Sequence, residues 1–183
     1  DEVEKAAEDV ERRLREDEDH ARKVVKRIRE LLEEDTRTVD KVLREIEKLL
    51  KDITDLRRRG DIREEDIDRI LRKVERDIER IEEHSKRVLE EVKRLVDRNR
   101  KHSKDLLDEV RERAKDVKRK VKDKKELTEK LDRLLERVEE VSKRNEDATR
   151  TVEKEVEEVV RRTKKKLDDI LERVERVARE LKR

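Results

Sequence analysis

The side chains best suited to chemistry in this sequence belong to two His-Ser pairs. They are His84-Ser85 and His102-Ser103, and they lie 18 residues apart within a helical pattern of apolar residues. Eighteen residues make about five turns of an α-helix at 3.6 residues per turn, so both pairs point in the same direction. The remaining histidine of the sequence is His20. Imidazole and hydroxyl groups on an apolar face need hydrogen-bond partners, which other parts of the chain must supply.

Catalytic and metal chemistry are both disfavoured by this pattern. A serine cannot be activated by the histidine next to it, because adjacent helical residues do not face each other, and a single glycine gives no loop for an oxyanion hole. A zinc site of His20, His102 and Asp17 is disfavoured because no two histidines stand four residues apart on one helix. The sequence therefore predicts no enzyme, no metal site and no cofactor.

The composition is typical of long helices. Of the 183 residues, 61% are charged and 30% are apolar, with one glycine and no proline, cysteine, methionine or aromatic residue. A globular domain carries about 25% charged residues. Disorder is excluded as an interpretation because the Leu, Ile, Val and Ala residues recur at helical spacing. The pattern predicts a coiled coil or a helical bundle.

The charge balance argues against nucleic acid and membrane partners. The 57 Lys and Arg residues are offset by 55 Asp and Glu residues, whereas a nucleic-acid-binding surface is one-sidedly basic and usually carries aromatic residues. No apolar run approaches the roughly 18 residues of a membrane span. The first residues, Asp1-Glu2-Val3-Glu4, are acidic where a signal peptide is basic. We expect a soluble protein without a targeting signal.

Two boundaries divide the chain into three similar segments. Gly60, after three arginines, suits the left-handed residue that follows a helix, and Asp61 suits the cap of the next helix. Asp123 marks a second, weaker cap. The predicted domain is a single one, residues 1-183, with helix 1 at about 2-59, helix 2 at about 62-121 and helix 3 at about 124-182.

The apolar stripe of each segment predicts how the helices pack. It steps by about 3.6 residues and, in the second segment, passes through Leu95, His102 and Leu106. Short connections make consecutive helices antiparallel. The fold class expected is all-α: a monomeric, antiparallel, up-down-up three-helix bundle with helices of about 60 residues, nearly straight or weakly supercoiled. The handedness of the bundle stays open, as does exchange of helical hairpins between chains.

Polar residues interrupt the three stripes at matching heights. Residues that face each other on helices 1 and 2 should have numbers that add to about 121. Those that face each other on helices 2 and 3 should have numbers that add to about 247. This pairing predicts two buried polar layers that fix the register of the helices. The first layer contains His20, Asn99, His102, Ser103 and Asn145, with Asp17, Ser142 and Thr149 near it. The second layer contains Asp35, Thr36, Thr38, His84, Ser85 and Thr163.

Short sequence motifs are repeated along the chain, as in an idealised helical sequence. Glu-Arg-Val occurs at 136-138, 172-174 and 175-177. In this repetition, and in its lack of aromatic and sulfur-containing residues, the chain resembles computationally designed helical bundles. Natural three-helix units such as spectrin-type repeats usually carry aromatic core residues. The resemblance implies a structural scaffold with no natural biochemical function, no expected partner, and recombinant expression in the cytoplasm of a host.

The alternative function is a pH-responsive switch acting through His20, His84 and His102. Imidazole titrates near pH 6.5, and a neutral ring that both donates and accepts loses its acceptor on protonation. Burial alone would favour the neutral ring, whereas a neighbouring Asp17 or Asp35 carboxylate would favour the protonated ring. The direction of a pH response therefore stays open at the level of the sequence.

Overall fold

The chain folds into three α-helices of equal length. The structure, a computed structural model, describes residues 2-182, and Asp1 and Arg183, the end points of the predicted domain, lie outside this range. Helix α1 is Glu2–Arg58, α2 is Glu64–Lys120 and α3 is Lys125–Leu181, each with 57 residues. The described residues contain no strand. The prediction of an all-α chain with three long helices is confirmed.

The first connection is built around a left-handed glycine. Gly60 has a φ of 73°, which glycine adopts without the steric cost that a Cβ would bring. The carbonyl of Arg63 accepts the amides of Asp66 at 3.0 Å and Ile67 at 3.2 Å, so the first turn of α2 starts there. The helix therefore begins after the predicted Asp61 cap, and residues 61-63 lengthen the connection.

Charges at the helix ends agree with the helix dipole. The first turn of α2 carries Glu64, Glu65 and Asp66, and its last turn carries a run of three basic residues, 118-120. Carboxylates near the N-terminus and cations near the C-terminus each stabilise an exposed helix by about 0.3–1 kcal/mol. These contributions are small, so most of the stability must come from the packing of the apolar faces of the helices.

The residues form two compact units. Unit 1 consists of the α1 residues up to Arg29 together with Val92–Lys154. Its ion pairs join α1 to α2 in reverse order and α1 to α3 in the same order, which makes α2 antiparallel to both. These pairs are Asp9–Arg113, Arg13–Glu109, Glu11–Arg137 and Glu18–Arg144. The core of unit 1 is aliphatic and contains Val3, Val10, Leu14, Leu107, Val110, Leu131, Leu134, Val138 and Val141.

Unit 2 has the same helix directions. It consists of Glu30–Glu91 and the α3 residues from Glu155 onward. Contacts between α1 and α2 again run in reverse order, at Asp35–His84 and Glu45–Arg80, and those between α1 and α3 run in the same order, at Asp40–Lys166 and Glu47–Arg173. Its core contains Val39, Val42, Ile46, Leu50, Val74, Ile78, Ile81 and Ile170. The predicted antiparallel order of the helices is confirmed.

Candidate functional site

A buried carboxylate joins the three helices of unit 1. The Asp17 side chain on α1 is fully buried, with 0% of the residue exposed. Ser103 on α2 donates its hydroxyl to Asp17 Oδ2 at 3.1 Å, and the amide of Asn145 on α3 donates to the same oxygen. Asn145 Nδ2 also lies 3.4 Å from Ser103 Oγ. We call Asp17, Ser103 and Asn145 the Asp17 cluster.

The sequence places these residues because each replaces an aliphatic residue in the stripe of its helix. In α2 the buried positions run through Val96, Asn99, Ser103 and Leu107, and in α3 through Val141, Asn145, Thr149 and Val152. Steps of three and four residues keep such positions on one face of a helix. The three polar side chains therefore meet at one height in the core of unit 1.

Burial raises the pKa of Asp17 above the usual value for an aspartate. The hydrogen bond from Ser103, the nearby charges of His102 and His20 and the hydrogen bond from Asn145 all act in the opposite direction without outweighing burial. Water stabilises an ionised carboxylate better than an apolar core does. The fold therefore favours the neutral acid at Asp17 more than solvent would.

Two buried oxygen atoms near this height have no hydrogen-bond partner within the described residues. They are Asp17 Oδ1 and Asn99 Oδ1. Leaving a buried acceptor unpaired costs roughly 1–3 kcal/mol. Protonation of Asp17 at Oδ1 would convert one of these acceptors into a donor, which agrees in direction with the raised pKa.

A second cluster lies in unit 2, between α1 and α2. Asp35 is 3% exposed and accepts the Nδ1–H of His84 at 2.8 Å. The hydroxyl of Ser85 lies 3.2 Å and 3.3 Å from the two oxygens of the same carboxylate. The His84 side chain keeps 27% of its surface exposed. We call Asp35, His84 and Ser85 the Asp35 cluster.

The Asp35 cluster contains the residue types of a catalytic triad in the wrong order. In a triad the imidazole lies between the acid and the hydroxyl, so that it can take the proton of the nucleophile. Here Ser85 donates to Asp35 and not to His84. The hydroxyl is consequently not activated by this arrangement.

The threonines predicted for the second layer do not join the Asp35 cluster, which corrects the prediction. Thr36 donates its hydroxyl to the Leu32 carbonyl at 2.9 Å, the local bond that helical threonines commonly make. Thr38 and Thr163 are half-buried, and no hydrogen bond of the described residues connects either side chain to Asp35. Local bonding therefore satisfies the Thr36 hydroxyl without any interhelical network.

The prediction that His20 and His102 are buried is wrong. The structure brings the two rings together, with centroids 4.6 Å apart and planes inclined by 53°, but both residues are exposed. The α2 stripe passes through Asn99 and Ser103, and His102 lies about 60° from Asn99 and about 100° from Ser103 around the helix, outside the stripe. We call His20 and His102 the histidine pair.

The burial of some polar residues was not predicted from the sequence. Asp17 was expected only beside the first layer, yet it is the common acceptor of the cluster. The four-residue steps from Asp17 to Ala21 and from Asn99 to Ser103 were the signal that could have shown this register. Asp77, 6% exposed and 3.4 Å from Arg80, was not expected at all.

Metal binding and membrane insertion both find little support in the structure. Across residues 2-182, no group of three or more His, Asp or Glu side chains is arranged to hold a metal ion. None of the helices, over its described residues, combines the length and the apolar character that crossing a membrane demands.

Comparison with known proteins identifies the fold. No protein-family model matches the chain, and no curated protein matches it in sequence. Among solved structures, a computationally designed three-helix bundle matches with a TM-score of 0.69 and 16% sequence identity, over 98% of this chain and 90% of that chain. At this level of identity the likeness shows the fold alone. The chain is therefore a three-helix bundle.

Proposed function

We propose that this chain is a designed structural scaffold, a single monomeric domain without a natural biochemical activity. The observation that carries the proposal is the Asp17 cluster, in which one carboxylate oxygen accepts hydrogen bonds from two other helices in an aliphatic core. The idealised composition and the designed bundle of the same fold support it. The arrangement of Ser85 on Asp35 supports a scaffold rather than an enzyme.

The role of the polar clusters in this proposal is to specify helix register. An all-aliphatic stripe tolerates a shift by one turn, because similar side chains then replace one another. Such a shift would separate Ser103 and Asn145 from Asp17 and leave several buried polar groups unpaired. Each unpaired group costs roughly 1–3 kcal/mol, so alternative registers are disfavoured.

Replacing the whole Asp17 cluster by apolar residues tests this role. In a triple variant with Asp17→Leu, Ser103→Ala and Asn145→Leu, the free energy of unfolding should be unchanged or higher, because the whole cluster is removed and none of its members is left unpaired. Register specificity should be lost, and amide NMR spectra should show more than one set of signals for residues of unit 1. The measurements are guanidinium unfolding by circular dichroism, NMR, and sedimentation for the monomer.

A single set of NMR signals from a fully folded monomeric triple variant would contradict the proposed role. The matched control changes the other cluster, with Asp35→Leu, His84→Leu and Ser85→Ala. Signal doubling in that control should be confined to unit 2, since its cluster joins only α1 and α2 there.

The second candidate function is a pH-responsive switch, and the bond between His84 and Asp35 favours it. His84 is the histidine joined to a buried carboxylate, so it is the ring on which a response to pH would depend. We expect the guanidinium midpoint, measured by circular dichroism at pH 7.5 and pH 5, to change less in a His84→Asn variant than in the parent chain. An identical pH dependence in the two proteins would exclude His84 as the residue responsible for the pH response.

A further inference from the structure

The histidine pair has features that the scaffold does not use. His20 and His102 project from α1 and α2 of unit 1, are exposed, and have ring centroids 4.6 Å apart. No hydrogen bond or ion pair of the described residues holds either ring, in contrast to His84, whose Nδ1 is bonded to Asp35. Both side chains are therefore open to solvent and available to a ligand.

The spacing of the rings matches what one metal ion would require. With metal–nitrogen bonds of about 2.0–2.1 Å, two imidazoles on one ion have ring centroids about 4.5 Å apart at a right angle and about 5.2 Å apart at a tetrahedral angle. The observed 4.6 Å lies within this range.

A buried carboxylate lies behind the pair. Asp17 precedes His20 by three residues on α1, and its Oδ1 is buried without a hydrogen-bond partner in the part of the chain that the structure describes. Histidines that bind metals usually donate their other ring N–H to a carboxylate or a carbonyl, which fixes the ring orientation. The Oδ1 atom of an ionised Asp17 carboxylate has the chemistry of such an acceptor.

We propose that His20 and His102 form a surface site for one divalent transition-metal ion, with Asp17 as a positioning residue behind it. Two imidazole nitrogens bind the ion, and water completes its coordination. Imidazole suits copper, nickel and zinc, and the order of affinities for a site of this kind places Cu²⁺ first. Hard cations such as Mg²⁺ and Ca²⁺ prefer oxygen ligands and bind poorly.

The test is a titration of the tag-free chain with Cu²⁺, followed by electron paramagnetic resonance. The chain contains only three histidines and no cysteine, so the background from other strong ligands is small. We expect one equivalent of Cu²⁺ with two nitrogen ligands. His20→Asn and His102→Asn should each weaken binding by on the order of a hundredfold, because the second imidazole acts at a high effective concentration. His84→Asn is the matched control and should bind as the parent chain does.

Several outcomes would overturn the proposal. These are equal affinity in the parent chain and both pair variants, a loss of binding in His84→Asn, or a resonance with only oxygen ligands. The Asp17→Asn variant tests the positioning role separately. It should still show two nitrogen ligands while binding more weakly, and an unchanged affinity would refute the part assigned to Asp17. Because the pair is exposed, the histidine substitutions should leave the helical circular dichroism signal intact.

Discussion

Replacing Asp17 with alanine should lower the free energy of unfolding by about 2–3 kcal/mol. The substitution removes the oxygen that accepts the Ser103 hydroxyl and the Asn145 amide, and both donors stay buried in the core of unit 1. Relief from burying a carboxylate offsets part of this loss. Guanidinium unfolding at pH 7, followed by circular dichroism, measures the change.

The Asp17→Asn variant separates the lost hydrogen bonds from the lost charge. It keeps one oxygen as the acceptor for Ser103 and Asn145 but cannot ionise. Burial raises the folded-state pKa of Asp17 above its unfolded value of about 3.9. The contribution of this group to stability is therefore fully present below that unfolded value and is lost as the pH rises through the folded-state pKa.

Asp17→Asn should accordingly be more stable than the parent chain at pH 7, by a margin that shrinks as the pH falls toward 3.5. Comparing the two proteins at each pH cancels the titration of the many other carboxylates. A margin that does not depend on pH would contradict the raised pKa. A variant less stable than the parent at every pH would show that charge-assisted hydrogen bonds outweigh the cost of burial.

Truncation of a core side chain in each unit should have the second large effect. Leu14 in unit 1 is 1% exposed and Ile46 in unit 2 is 0% exposed. Leu14→Ala and Ile46→Ala should each lower the free energy of unfolding by about 2–5 kcal/mol, since each leaves a cavity among aliphatic neighbours. Urea unfolding gives the global change, and native-state hydrogen exchange shows where protection is lost.

The same pair of variants tests the proposal of a single domain. If the chain unfolds as one cooperative unit, Leu14→Ala should lower the hydrogen-exchange protection of the most protected amides by the same factor in both units. Ile46→Ala should do likewise. Loss of protection confined to the unit that carries the substitution would instead show that units 1 and 2 unfold separately.

The sequence predicted the helices well because their signals are local and repeated many times. Apolar spacing identified three long helices, and Gly60 was recognised as the left-handed residue that it is. The start of α2 was less well predicted. Its first turn uses the Arg63 carbonyl, whereas Asp61 was predicted as the cap, because residue type alone does not distinguish among neighbouring polar residues in a loop.

The polar clusters were predicted less completely, because a wide apolar stripe does not show which of its residues face the core. Doublets such as Leu106-Leu107 fit two neighbouring registers, and the structure buries Leu107. That choice decides which member of His102-Ser103 faces the core. For Thr36 the difficulty was different, because whether its hydroxyl bonds locally or across helices depends on side-chain rotamers that no spacing encodes.

The parallel course of α1 and α3 has a practical consequence for attaching other molecules. In unit 2 their paired residues differ in number by 126, as at Asp40 and Lys166. By this offset the last turn of α3 lies level with the last turns of α1, just before Gly60. A peptide inserted at Gly60 and a second one fused after α3 would therefore be displayed side by side. A pair of epitopes or fluorophores placed at these points would be held close together without any added linker design.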